Sequence, residues 1–112
     1  MRRYEVSSYR KHKRPDGWGS LCPDRVGLVE AQHLLDSGVE CDGAIYNVDD
    51  EYCYRAQCHG TERDETTLWH GHPIPWQRLP SAARKELERV GRLSPSLYRK
   101  ALRKRWGEEF EP

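Results

Sequence analysis

The chain has 112 residues, a mean hydropathy of −1.00 and 33% charged residues, which leaves room for one domain with a modest core. No run approaches the roughly 20 apolar residues of a membrane helix, and the start, MRRYEVSSYRKHKR, lacks the apolar centre of a signal peptide. A soluble, cytoplasmic protein with no membrane partner is therefore expected, and its four Trp and six Tyr separate it from disordered chains, which are poor in aromatics.

The charges are segregated. Residues 1–25 carry seven basic and three acidic side chains, residues 26–66 two and ten, and residues 67–112 ten and five. Such a chain can fold its ends onto its own middle or present separate fields to partners. The four cysteines do not form a dense secreted framework and are expected to be reduced.

One domain, 1–112, is expected, with residues 1–16 as a mobile basic segment. Tyr4 and Val6 alternate with charged neighbours as in a short strand. Arg10, Lys11, Lys13 and Arg14 follow, a run suited to phosphate or simply to solvent, and Pro15-Asp16-Gly17 marks a turn. Residues 23–37 read as a helix, with Pro23 at the first position, Asp24 at the positive end, and Leu28, Leu34 and Leu35 toward the core. Gly38 suits the position just past its end. Cys22, just before this helix, is a thiol without an identifiable base nearby.

Residues 43–48 and 52–59 read as antiparallel strands around Asp49-Asp50-Glu51, and Thr66 to His70 as a third. Alternation puts Tyr52, Tyr54 and Ala56 on one face and Cys53, Arg55 and Gln57 on the other. Gly71 and Pro73 are expected to end the third strand, and Ile74-Pro75-Trp76 to run extended. A helix then begins near Ser81 and ends at Gly91. Another opens at Ser94-Pro95, with Tyr98, Leu102 and Trp106 as its apolar stripe. The expected fold is α+β: a small three-stranded antiparallel meander packed with an N-terminal helix and a C-terminal helix pair. Ile45, Tyr54, Leu68, Trp69, Trp76, Leu87 and Val90 complete the expected core.

Three constellations carry chemistry. Cys53, Cys58, His70 and His72 supply two thiols and two imidazoles, the donor types zinc prefers, with His59 as a fifth option. Cys53 and Cys58 fall on opposite faces of a continuous strand, so a bulge would be needed to join them. Second, His70 and His72 share one side of an extended segment. With Arg55 or Arg63 and Tyr52 or Tyr54 they form a candidate metal-independent ribonuclease site. Third, Arg99, Lys100, Arg103 and Lys104 make two cationic ridges on the last helix, which could follow a phosphate backbone assisted by Arg10–Arg14. The residue after Gly91 is Arg92, where a helix-turn-helix would bury an apolar side chain.

These observations favour a small non-enzymatic nucleic-acid-binding or regulatory protein, with DNA or RNA as partner through the basic C-terminal helix. An inhibitor or immunity-type protein-binding module, whose separated charge fields steer a protein partner, is the alternative. No cofactor is expected, zinc being the one candidate.

Overall fold

The computed structural model describes residues 2–4 and 28–110, the side chains of Leu28 and Val29 excepted. The expected helix start at Pro23, Cys22 and the run Arg10–Arg14 lie outside the described residues. The order is β1 (Arg2–Tyr4), α1 (Leu28–Ser37), β2 (Val39–Cys41), β3 (Ala44–Val48), β4 (Cys53–Thr61), β5 (Thr67–Ile74), α2 (Ser81–Arg89) and α3 (Pro95–Arg103). The class is α+β, as the sequence implies. The sheet has five strands rather than three, in the order β1-β5-β4-β3-β2, and it is mixed because β1 runs parallel to β5.

The expected meander is the centre of this sheet, β3-β4-β5, all antiparallel. β2 joins it through the two-residue turn Asp42-Gly43, whose φ values of 51° and 82° match the right-handed twist of a tight hairpin. β5 does not stop at Gly71 but runs through Pro73 to Ile74. β1 pairs only with Thr67–Trp69, so Pro73 lies on a stretch of β5 with β4 as its one partner among the described strands. A proline is tolerated there because no second ladder requires its missing N–H. β1 is held from its other side by Gln32 of α1, whose Oε1 accepts from Tyr4 N (2.8 Å) and whose Nε2 donates to Arg2 O (3.0 Å).

Two apolar clusters result. On one face Leu35 of α1 packs with Ile45 and Trp69. On the other, Val39, Ala44, Tyr46, Val48, Cys53 and Ile74 meet Trp76, Leu79, Ala83, Leu87, Leu93 and Ala101 from the C-terminal third. Trp76 is fully buried, donates from Nε1 to Glu51 O (3.1 Å) and packs edge-on against Trp106 with ring centroids 6.1 Å apart. Gly38 follows α1 as expected, but its role is close packing. A Cβ there would fall 2.6 Å from Ile45 Cγ2 and 2.8 Å from Tyr46 O.

The C-terminal helices begin and end at the expected signals. Ser94 Oγ accepts from Leu97 N (3.1 Å) ahead of Pro95, and Gly91 takes the left-handed conformation (φ 82°) beyond α2. The expected apolar stripe is displaced. Val90 and Leu102 are 45% and 38% exposed, whereas Leu93 and Ala101 are buried. Trp106 lies beyond the last turn of α3 and reaches the core from there. The left-handed turn at Gly91 brings Leu93, not Val90, onto the sheet.

Asn47 ties these layers together. It is buried, and its amide is saturated. Nδ2 donates to Leu34 O (2.8 Å) and Ser37 Oγ (3.0 Å) at the end of α1, while Oδ1 accepts from Val48 N (2.8 Å) and Arg92 Nε (3.2 Å). Arg92 also donates to Val48 O (3.3 Å), so the α2–α3 turn is fastened to β3. Asn47→Ala should lower the unfolding free energy by about 2–3 kcal/mol, because buried partners on α1, β3 and Arg92 lose their mates together. Leu102→Ala should stay within about 0.5 kcal/mol. Urea unfolding of the two variants compares them directly, and equal effects would contradict this reading.

Candidate functional site

Strand alternation places the candidate residues. Cys53, Arg55 and Gln57 of β4 lie on the face that carries Val48, Tyr46 and Ala44 of β3. Across β4–β5, Arg55 stands opposite His72 and Gln57 opposite His70. At one end of this face Val48, Cys53 and Ile74 are covered by the C-terminal core. At the other end Arg55, His70 and His72 are half-buried, and Gln57 and His59 are exposed. A register shift between Cys58 and Gly60 inserts His59, whose ring lies 4.8 Å from that of His70 at 37°.

Arg55 is built into this surface by neutral partners. Its Nε donates to Tyr46 Oη (3.1 Å). In the amide orientation that satisfies both groups, the oxygen of Gln57 accepts from Nη1 and Nη2 (2.6 and 2.9 Å). No carboxylate of the described residues forms an ion pair with Arg55, unlike Arg2 with Glu40, Arg3 with Glu62 and Arg84 with Glu88. These bonds hold the guanidinium on the strand face that also carries His72, opposite Arg55 in the ladder, and His70.

The structure thus brings together Arg55, His70 and His72, and it adds His59, Gln57 and Tyr46. Gln57 was readable from the i, i+2 alternation with Arg55. The reach of Tyr46 required the β3–β4 register, which no local pattern reveals. The tyrosines expected beside the histidines are elsewhere. Tyr54 lies on the opposite face with its hydroxyl donating to Asp49 Oδ2 (2.9 Å), and Tyr52 packs against Phe110 with centroids 5.9 Å apart. Arg63 is exposed in the β4–β5 loop.

The candidate zinc ligands do not converge. Cys53 is buried on the helix-covered part of one face, whereas Cys58 is exposed, pairs with Trp69 across the ladder and donates from Sγ to Gly60 O (3.3 Å). Among the described residues no three His, Cys, Asp or Glu side chains gather as metal ligands. Burial, aided by the nearby Asp49 carboxylate, pushes the Cys53 thiol far above its ordinary value of 9.0, which suits an apolar packing group rather than a thiolate ligand.

Arg99, Lys100 and Arg103 on α3 and Lys104 at its C-cap are all exposed, and none forms an ion pair with a carboxylate of the described residues. Lys100 Nζ lies 5.5 Å from the Trp106 ring centroid. Asp49 does not neutralise this helix, because its own loop occupies the carboxylate. Oδ1 accepts from Glu51 N (2.8 Å) and Tyr52 N (2.6 Å), and Oδ2 from Tyr54. Asp50 and Glu51 line one open groove with Lys104 and Arg105.

Iodoacetamide should modify Cys58 in the folded protein and reach Cys53 only after unfolding, as peptide mapping by mass spectrometry would reveal. The raised Cys53 value also fixes a sign. The protonated thiol is favoured by the fold, so its contribution to stability is full below the ordinary value of 9.0 and declines as the pH rises past it. Rapid labelling of Cys53 in the native state would contradict its placement. No family model, curated protein or solved structure matches this chain.

Proposed function

We propose that the protein binds nucleic acid through the exposed face of α3, with Arg99, Lys100, Arg103 and Lys104 contacting phosphates. One observation carries this reading. Arg84 pairs with Glu88, Arg89 with Glu86 and Arg105 with Glu108, whereas Arg99, Lys100, Arg103 and Lys104, clustered along α3 and at its C-cap, have no such carboxylate among the described residues. A charge with no ion-pair partner among the described residues retains counterions for a polyanion to displace. The spacing supports the same conclusion. Arg99/Arg103 and Lys100/Lys104 are four apart, so each pair forms a ridge rising about 6 Å along the helix.

The contacts are to the backbone, so binding is salt-sensitive and weakly dependent on sequence. Arg10, Lys11, Lys13 and Arg14, outside the described residues, are proposed as assisting phosphate contacts. The free thiols of Cys41, Cys53 and Cys58 accord with a reducing, cytoplasmic setting.

The test is a salt titration of oligonucleotide binding, with duplex and single strands compared. Four phosphate contacts correspond to a slope of log K against log salt of about −3 to −4. Replacing Arg99, Lys100, Arg103 and Lys104 together by Ala should bring that slope close to zero and weaken binding at low salt by more than tenfold, with the far-ultraviolet circular dichroism unchanged. Native affinity and slope in that variant would defeat the reading. So would absence of binding by the native protein at low salt, most plainly if a protein partner co-purifies instead.

A further inference from the structure

We propose that the open end of the β4–β5 face is a phosphodiester-transfer site for RNA, with His70 and His72 as the proton-transfer pair and Arg55 as the phosphate clamp. The site stands on the sheet and does not depend on α3. Its central feature is the guanidinium of Arg55. Of its five N–H groups, Nε serves Tyr46 and one from each Nη serves Gln57, which leaves two for a ligand. Every fixing partner is neutral, so none of the positive charge is cancelled. Two spare N–H groups on a planar, positioned cation are suited to the oxygens of a phosphate.

The imidazoles stand where such a phosphate needs them. His70 and His72 are two residues apart on one strand face, so their attachment points are about 6.6 Å apart. Arg55 is opposite His72, and its bonds to Gln57 draw the guanidinium toward the level of His70. The clamp therefore lies beside the gap between the two rings. In-line displacement at phosphorus puts the attacking and leaving oxygens on opposite sides, and a phosphate in this gap would have one imidazole on each. His59, its ring tilted by 37° with centroids 4.8 Å apart, limits the orientation of the His70 ring.

The step balances without a further reagent. One neutral imidazole takes the proton of the ribose 2′-hydroxyl as the 2′-oxygen forms a bond to phosphorus. The bond from phosphorus to the 5′-oxygen breaks, and the other imidazole, protonated, gives its proton to that oxygen. Arg55 faces the charge that builds on the non-bridging oxygens. The products are a 2′,3′-cyclic phosphate and a 5′-hydroxyl, and exchange with water resets the two rings. A DNA strand, lacking the 2′-hydroxyl, is not cut.

The experiment is cleavage of a single-stranded RNA oligonucleotide and its all-deoxy counterpart by the purified chain in excess EDTA. RNA fragments ending in cyclic phosphate by mass spectrometry, with the deoxy strand intact, are expected. His70→Asn and His72→Asn, prepared in parallel with unchanged melting temperatures, should each slow cleavage by about 10²-fold or more. Arg55→Gln should do likewise, and a fully active folded variant at any of the three positions overturns the proposal. Loss of cleavage in EDTA overturns it as well. Intact RNA with the native protein under conditions where it is bound also overturns it, and leaves the binding role of α3 standing.

Discussion

The saturated amide of Asn47 is the constraint on which the arrangement depends. A buried amide is costly unless all its capacity is used, and here it is used between elements distant in sequence. It holds the end of α1 on one side of β3 and, through Arg92, the turn between α2 and α3 on the other. β3 is buried along its whole length for this reason, with helices closing on both of its faces. Trp76 performs a similar function at the exit of β5, where its indole N–H reaches the β3–β4 loop and its ring meets Trp106. These two side chains determine where the C-terminal helices sit, and hence how much of the sheet they cover.

The limited coverage is a matter of length. A nine-residue helix such as α2 or α3 extends about 13.5 Å, whereas the nine residues of β4 extend about 30 Å. One helix pair of this size shields the Cys53–Ile74 end of the face and leaves the Gln57–His70 end open. The composition follows the geometry. Valine, cysteine and isoleucine occupy the shielded part, while arginine, glutamine and histidine occupy the open part. The side chains with the most chemical capacity thus gather on the rigid framework of the sheet rather than on a loop.

Much of this was legible in local sequence, and the remainder depended on long-range register. Ser94-Pro95 and Gly91 mark helix boundaries because capping and left-handed geometry are local requirements. β2 has three residues, too few to show a period, although Asp42-Gly43 beside it is a hairpin turn that can be read directly. Gly71 and Pro73 suggested a strand end because the sequence does not tell how far β1 would extend along β5. Val90 and Leu102 fit a helical stripe, but which residues follow the turn onto the sheet was set by Gly91 and Arg92. At the site, the common face of Arg55 and Gln57 followed from alternation, and that of His70 and His72 from their spacing. The pairing of the two strands that joins these sets, and the extra residue that brings His59 against His70, are properties of the folded sheet.

Pro73 has a consequence for what the molecule avoids. A sheet edge with a row of available N–H and C=O groups is a template for another chain. Beyond Trp69, β5 has no described strand on its outer side; there Tyr4 Oη donates to Gly71 O (3.3 Å), and the buried Pro73, next to the strand's end, has no N–H to offer. The opposite edge, β2, is only three residues long and carries the exposed charge of Glu40 at its centre, and the outer side of β1 is occupied by the Gln32 amide. The same proline that stiffens the exit from the sheet thus makes it a poor seed for strand-by-strand aggregation, which allows the histidine-bearing strand to stay near solvent.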